Sequence, residues 1–173
     1  MAGLPGSGKS TLAEAIAREL GCALLSVDPV EAAMWRSGIA RSQPTGLAAY
    51  DVAEDLAREQ LLVGNDAIID AVNDVPEARA QWVALAAEVG VPLARVEVHC
   101  SDPSVRERRL RERRRRLAGF PEPTWESVRA RQAGLDSWSD RRLRLDSMRP
   151  LPDTLGEALD HLRDLRRAAS NGP

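Results

Sequence analysis

The sequence predicts an α/β fold in which parallel strands alternate with helices, and three observations predict it. The first is Gly3-Leu4-Pro5-Gly6-Ser7-Gly8-Lys9-Ser10-Thr11, which fits G-x-x-x-x-G-K-[S/T] at every fixed position and runs into a helical pattern. The second is a set of short apolar runs of strand length, residues 23–27, 66–70 and 93–99, separated by stretches of helical periodicity. The third is that two of these runs lead into an aspartate, Asp28 and Asp70, at the strand end that faces the ligand crevice in open α/β sheets.

The chemistry of the loop explains its residues. Its glycines let the backbone curl so that successive N–H groups point into one concavity. The N-terminus of the following helix stabilises negative charge. Lys9 can reach the β- and γ-phosphate oxygens of a nucleoside triphosphate, and the Ser10 hydroxyl can ligate Mg²⁺. Gly3, Pro5, Gly6, Ser7, Gly8, Lys9, Ser10 and Thr11 are therefore the expected ATP-binding residues. A glycine-rich turn that merely precedes a helix is the alternative, and four matching fixed positions weigh against it. Leu12, Ala13, Ile16, Ala17 and Leu20 form the apolar face of that helix, with Gly21 suited to its C-terminal cap. A loop of this kind springs from the buried end of a central parallel strand, yet only Met1 and Ala2 precede it here. The expectation is that Met1 is internal to that strand, with about four to eight mostly apolar residues encoded in frame upstream.

At 173 residues the chain suits one domain, residues 1–173, with a sizeable core. A formal net charge of −2 gives no global pull towards nucleic acid or an anionic membrane. Cys22 and Cys100 have no CxxC partner and no His/Cys cluster nearby, which argues against a metal centre or disulfide framework. No apolar run approaches the roughly 18 residues a membrane span needs, and no signal segment is present, so the expected location is the cytoplasm. Lys9 is the only lysine among 24 basic residues and sits where a compact ammonium is useful.

In chain order, residues 23–27 form the next strand and Asp28-Pro29 ends it, with Asp28 placed to cap the following helix, to act as a general base, or both. Residues 31–38 read as a short helix. Arg36, Arg41, Gln43 and Thr45 in or just after it mark either an acceptor pocket, with Arg36 and Arg41 as substrate contacts, or a solvated loop. Residues 47–62 read as a helix with Ala49, Tyr50, Ala53, Leu56, Ala57 and Leu61 facing the core. Asp66-Ala67-Ile68-Ile69-Asp70 has the look of a Walker B strand, whose terminal aspartate can hold Mg²⁺ or orient a substrate hydroxyl. Ala71 follows it where motor-type ATPases commonly keep a glutamate, which favours transfer to a bound acceptor over hydrolysis.

Asp74-Val75-Pro76-Glu77 matches a capping pattern before a helix carrying Ala78, Trp82, Leu85, Ala86 and Val89 that ends at Gly90. His99 closes the next strand and reads as structural rather than as an acid–base group. From Pro103 to Leu117 arginines dominate, at positions 106, 108, 109, 111 and 113–116, with only Val105, Leu110 and Leu117 large and apolar. That helix can be a solvated face, a nucleic-acid patch or a lid whose arginines close on phosphate. The absence of interleaved aromatics disfavours nucleic acid. Thr124 caps a further helix, residues 142–145 form the last strand, and the loop from Asp146 to Pro152 lies where adenine could rest. Thr154-Leu155-Gly156-Glu157 reads as a capping box for the closing helix, with a frayed tail from Ala168 to Pro173.

The loop, Ser26-Val27-Asp28, Ile68-Ile69-Asp70-Ala71-Val72-Asn73 and the arginine-rich segment through Arg113 occur in the order seen in small P-loop kinases. Over most of its length the chain resembles their predicted-kinase or AAA_33-like branch, which includes chloramphenicol phosphotransferase, zeta toxins and the kinase domain of polynucleotide kinase. The resemblance implies a P-loop NTPase three-layer sandwich with a parallel sheet in order 2-3-1-4-5, its first strand missing or truncated, and an arginine-rich lid at about residues 103–123. It implies Asp28 as base and Arg109 and Arg113 as phosphate contacts. The residues themselves add Lys9 as a phosphate contact, Ser10 and Asp70 as candidates at Mg²⁺, and Asp28, Arg36, Arg41 and Asp70 as candidates facing the acceptor. The expected activity is transfer of the γ-phosphate of ATP to a hydroxyl of a small molecule. The rivals are an ATP-binding switch without transfer and a polynucleotide 5′-hydroxyl kinase.

Overall fold

The computed structural model describes residues 1–113 and 120–170. Eight helices and four strands alternate along them: α1 (Lys9–Leu20), β1 (Ala23–Ser26), α2 (Val27–Arg36), α3 (Thr45–Leu62), β2 (Ala67–Asp70), α4 (Pro76–Val89), β3 (Val96–His99), α5 (Pro103–Glu112), α6 (Trp125–Ala130), α7 (Gln132–Asp136), β4 (Leu143–Asp146) and α8 (Leu151–Ser170). The expected continuation of the arginine-rich helix through Arg114, Arg115, Arg116 and Leu117, the turn residue Gly119 and the end of the tail from Asn171 lie outside the described residues. No helix among the described residues is long and apolar enough to cross a membrane.

All strand pairing is parallel, as the alternation of strands and helices predicts. β1 pairs with β2 so that Ser26 stands beside Asp70, and β3 pairs with β4 so that His99 stands beside Asp146. These are two separate two-stranded sheets rather than one continuous sheet. Met1 and Ala2 stand between them in the expected position of the first strand. The Met1 nitrogen donates to the Ile69 carbonyl (2.8 Å), Ala2 N–H donates to Val96 O (2.7 Å), and Val98 N–H donates to Ala2 O (2.9 Å). Ala2 forms an isolated parallel bridge with Glu97. Beyond that two-residue connection an apolar cavity of about 200 Å³ opens between β2 and β3, lined among others by Met1, Ile16, Ile68, Trp82 and Val96.

Three apolar clusters hold the layers. Leu12 and Ile16 of α1 meet Val96, Val98 and Leu145 of the β3–β4 pair and Ala158 and Leu159 of α8. On the other pair, Ala49, Ala53 and Ala57 bring α3 close to the strands, with Val27, Trp82 and Leu85 completing the packing. Leu4, inside the glycine-rich loop, is buried with Leu110, Val128, Leu135 and Trp138, so the loop is anchored to α5, α6 and α7. Burial of a leucine of this kind stabilises by about 2 kcal/mol.

Several helix starts differ from expectation. Ser26, not Asp28, precedes the first turn of α2, because Ser26 keeps the extended backbone of β1 while Val27 is already helical. α4 begins after Val75 with Pro76 in its first turn, and Asp74 is drawn away to Arg131 instead of capping it. α8 starts at Leu151, so Thr154 lies inside the helix and bonds back to the carbonyls of Pro150 and Leu151 instead of capping. The helix also continues through Ala168 to Ser170, where a frayed tail was expected. Leu56 is 46% exposed and not part of the α3 core face. The Thr124 cap is present, its hydroxyl accepting from Ser127 N–H at 3.1 Å.

Candidate active site

The glycine-rich loop crosses from Ala2 to α1 beside the carboxyl ends of the strands. Gly8 precedes α1 at φ 91°, a left-handed conformation that a side chain would strain. At Gly6 a Cβ would lie 2.8 Å from the Arg106 carbonyl oxygen, so α5 rests directly on the loop. Pro5 and Ser7 are buried within it, Gly3 packs on Val98, and Thr11 looks outward from the first turn of α1.

Lys9 folds inward and reaches the end of β2, where its ammonium stands 3.3 Å from Asp70 Oδ1, both side chains 6% exposed. Ser10 stands close enough to the same carboxylate to help lower its pKa, and Ser26 Oγ donates to Asp70 Oδ2 at 3.4 Å. Burial alone would raise the pKa of Asp70, but Lys9, Ser10 and the nearby amino group outweigh it and hold the carboxyl below its ordinary value. Apart from the facing Lys9 ammonium, Asp70 Oδ1 accepts no hydrogen bond, and Ser7 Oγ is buried without a partner. Hydroxyl and carboxylate oxygens with spare acceptor capacity, beside a loop built for polyphosphate, fit a hard cation such as Mg²⁺. Ser10 and Asp70, expected as its ligands, are thus brought together.

Asp28 is half-buried in the first turn of α2, two residues beyond Ser26. It lies within electrostatic reach of Tyr50 and Arg131. The Tyr50 hydroxyl accepts from Asn73 N–H at 3.3 Å, and burial raises its pKa. Asn73, at φ 54°, is a buried hub whose side chain donates to Met1 O and accepts from Trp82 Nε1, both at 2.9 Å. Arg131 holds the buried Asp74 by two hydrogen bonds, from Nε to Oδ2 (2.7 Å) and from Nη2 to Oδ1 (2.9 Å). Burial opposes the Arg131 charge, yet Asp74 raises its pKa above the ordinary arginine value. Tyr50, Asp74 and Arg131 therefore form a connected group of side chains close to Asp28. No local pattern marks Arg131 as the partner of Asp74, which stands 57 positions away.

The arginines expected to face substrate divide. Arg36 is exposed at the end of α2. Arg41 lies over the Trp35 ring, 4.7 Å from its centroid, and Trp35 in turn stacks on Phe120 at 4.9 Å. Thr45 is buried at the start of α3, where it accepts from Trp35 Nε1 (2.8 Å) and donates to Glu31 (2.9 Å). Arg109 donates to Ser147 Oγ (2.7 Å) and to the Ser147 carbonyl (3.2 Å), tying α5 to the loop after β4. Arg113 does not share a helix face with Arg109. α5 ends at Glu112, and Arg113 follows in extended conformation with its guanidinium 4.0 Å from Glu122.

Where adenine was expected, a cavity of about 290 Å³ lies beside the loop, lined by Gly8, Thr11, Arg109, Ser147, Arg149 and Thr154 among others. His99 has its Nδ1 buried and unpartnered at the end of β3. Cys22 and Cys100 are free thiols.

The family profile AAA_33, described as an AAA domain, matches residues 1–135. No curated protein matches the chain. Among solved structures, a gluconokinase from Sinorhizobium meliloti is 22% identical with a TM-score of 0.66, over 98% of this chain and 91% of its own. The Mycobacterium tuberculosis APS kinase CysC in complex with AMPPNP and APS is 23% identical with a TM-score of 0.64, over 94% of each chain. Chaetomium thermophilum Kti12 in complex with ADP-AlF3 is 19% identical with a TM-score of 0.70, over 95% of this chain and 96% of its own. These likenesses agree with the α/β fold of parallel strands described above, and the match over residues 1–135 places the chain in the AAA_33 family of P-loop domains.

Proposed function

We propose that this chain is an ATP-dependent kinase that moves the γ-phosphoryl group of ATP to a hydroxyl of a small-molecule acceptor. The observation that carries the reading is the convergence of Lys9, Ser10 and Ser26 on Asp70 at the carboxyl ends of β1 and β2, with Asp28 two residues further on. In this reading the loop N–H groups and the α1 N-terminus take the polyphosphate, and Lys9 exchanges Asp70 for the β- and γ-phosphate oxygens. Ser10 and Asp70 hold Mg²⁺, which neutralises phosphate charge when bound. The base of the nucleotide rests in the cavity between Thr11, Arg109 and Ser147. Asp28 accepts the acceptor's proton, and the acceptor lies between Asp28 and the group formed by Tyr50, Asp74 and Arg131. The names of the gluconokinase and the APS kinase, and the AMPPNP and APS bound to the latter, support this reading.

The test is a screen of hydroxyl compounds, with sugar acids, nucleosides and a 5′-hydroxyl oligonucleotide among them, using γ-labelled ATP and Mg²⁺. Label should appear in one acceptor class, with ADP released only when that acceptor is present. Nucleotide binding with no transfer, or phosphate release indifferent to every acceptor, would support a switch and overturn the kinase.

A further inference from the structure

Resting on this phosphotransfer reading, we infer that Arg106 is a further catalytic residue, its guanidinium contacting the terminal phosphoryl group above Gly6. The residue stands on the turn of α5 that touches the loop. A Cβ built on Gly6 would meet the Arg106 carbonyl at 2.8 Å and its Cγ at 3.2 Å. From there the side chain runs under the short helices α6 and α7. Its guanidinium lies over the Trp125 ring, 4.9 Å from the centroid, and Nη1 donates to the neutral Gln132 side chain at 2.9 Å.

What this arrangement lacks is a paired anion: Asp136 acts on the guanidinium electrostatically but forms no ion pair with it. Among the described residues no carboxylate pairs with Arg106, and its Nε is buried with no hydrogen-bond partner. Burial consequently pushes its pKa below the ordinary arginine value. Its neighbours are differently placed: Arg109 is spent on Ser147, Arg111 pairs with Glu107, Arg113 stands by Glu122, and Arg108 is exposed. A half-buried guanidinium with no paired carboxylate is costly, and a buried donor without a partner calls for an explanation. A phosphoryl group held by the loop supplies one. It offers oxygens to a planar fork that Trp125 and Gln132 have already oriented.

In the reaction the bond between the acceptor oxygen and the γ-phosphorus forms as the bond from that phosphorus to the bridging oxygen breaks. The acceptor's proton passes to Asp28, and the bridging electron pair departs on ADP. Charge on the transferring group is spread over its equatorial oxygens, where a preorganised cation stabilises the transition state more than the ground state.

The experiment compares wild type, Arg106→Gln, Arg106→Lys and Arg108→Gln by calorimetric binding of Mg²⁺-ADP alone and of Mg²⁺-ADP with aluminium fluoride, which mimics the transferring group. ADP affinity should stay within about threefold in all four proteins, while Arg106→Gln weakens the aluminium fluoride complex by about a hundredfold or more. Arg106→Lys, which keeps the charge and the stem but not the fork, should lose about tenfold, and Arg108→Gln nothing. It also carries the test should Arg106→Gln fail to fold. Equal aluminium fluoride binding by wild type and a folded Arg106 variant would overturn the assignment while leaving the kinase reading intact. Failure of the wild type to bind ADP would sink both.

Discussion

Replacing Lys9 by alanine removes a buried charge as well as the cation proposed to act on phosphate. Its ammonium stands 3.3 Å from Asp70 Oδ1, with both side chains 6% exposed. At an effective dielectric constant of about 20, two unit charges at 3.3 Å attract by about 5 kcal/mol. Loss of one partner of a buried pair typically costs about 3–5 kcal/mol, because the other charge is left desolvated. Asp70 can limit that cost by taking up a proton. The figures agree, and they are a large part of the roughly 5–15 kcal/mol that holds a domain folded.

The sequence alone suggests that Lys9→Ala spares the fold. The structure changes that expectation to a variant about 4 kcal/mol less stable in urea unfolding at pH 7 without nucleotide. The pH dependence follows from the sign of each shift. In wild type the depressed Asp70 pKa gives stability that is present above the unfolded value and lost as pH falls through the lower folded value. In the variant burial prevails and the shift reverses. Its deficit is then greatest at neutral pH and shrinks by about 1.4 kcal/mol per unit as pH falls from the raised pKa towards the unfolded one. Adding Asp70→Asn removes the stranded charge and should restore more than half of the loss. Unfolding of Lys9→Ala within about 0.5 kcal/mol of wild type at pH 7, with no narrowing of the gap at pH 5, would refute the reasoning.

Further outcomes follow from other contacts. Asp28→Asn should abolish acceptor-dependent ADP release while ATP affinity stays within about threefold, since the amide cannot take the proton; normal turnover would remove Asp28 from the chemistry. Arg131→Ala should raise the acceptor KM about tenfold or more with little change in the KM for ATP, and an equal rise in both would place Arg131 outside the acceptor site. At Gly134 a Cβ would lie 2.2 Å from the Asp74 carbonyl oxygen, so Gly134→Ala must displace α7 or the segment after β2. It should cost about 1–3 kcal/mol in chemical denaturation, and a neutral result would contradict the packing of α7 on Asp74.

The glycine-rich-loop half of the candidate site was legible in the sequence because its geometry is local. The spacing of Gly3, Gly6, Gly8 and Lys9 specifies a curled backbone and a helix start within one turn of chain. Period-2 and period-3.6 patterning locates the strands that end near Asp28 and at Asp70. What the sequence could not show is which distant groups neutralise one another. The capping patterns at Asp74 and Thr154 are present as residue types, but tertiary partners claimed Asp74 for Arg131, and the earlier start of α8 left Thr154 inside the helix. Eight arginines between residues 106 and 116 look alike in sequence. Only the packing of α5 on Gly6 separates Arg106, held over the loop without a paired carboxylate, from Arg109, fastened to Ser147. Local residue types therefore determined the phosphate cradle, whereas long-range packing decided the charge pairing around it, because the energy of a buried charge depends on neighbours brought together only by the folded chain.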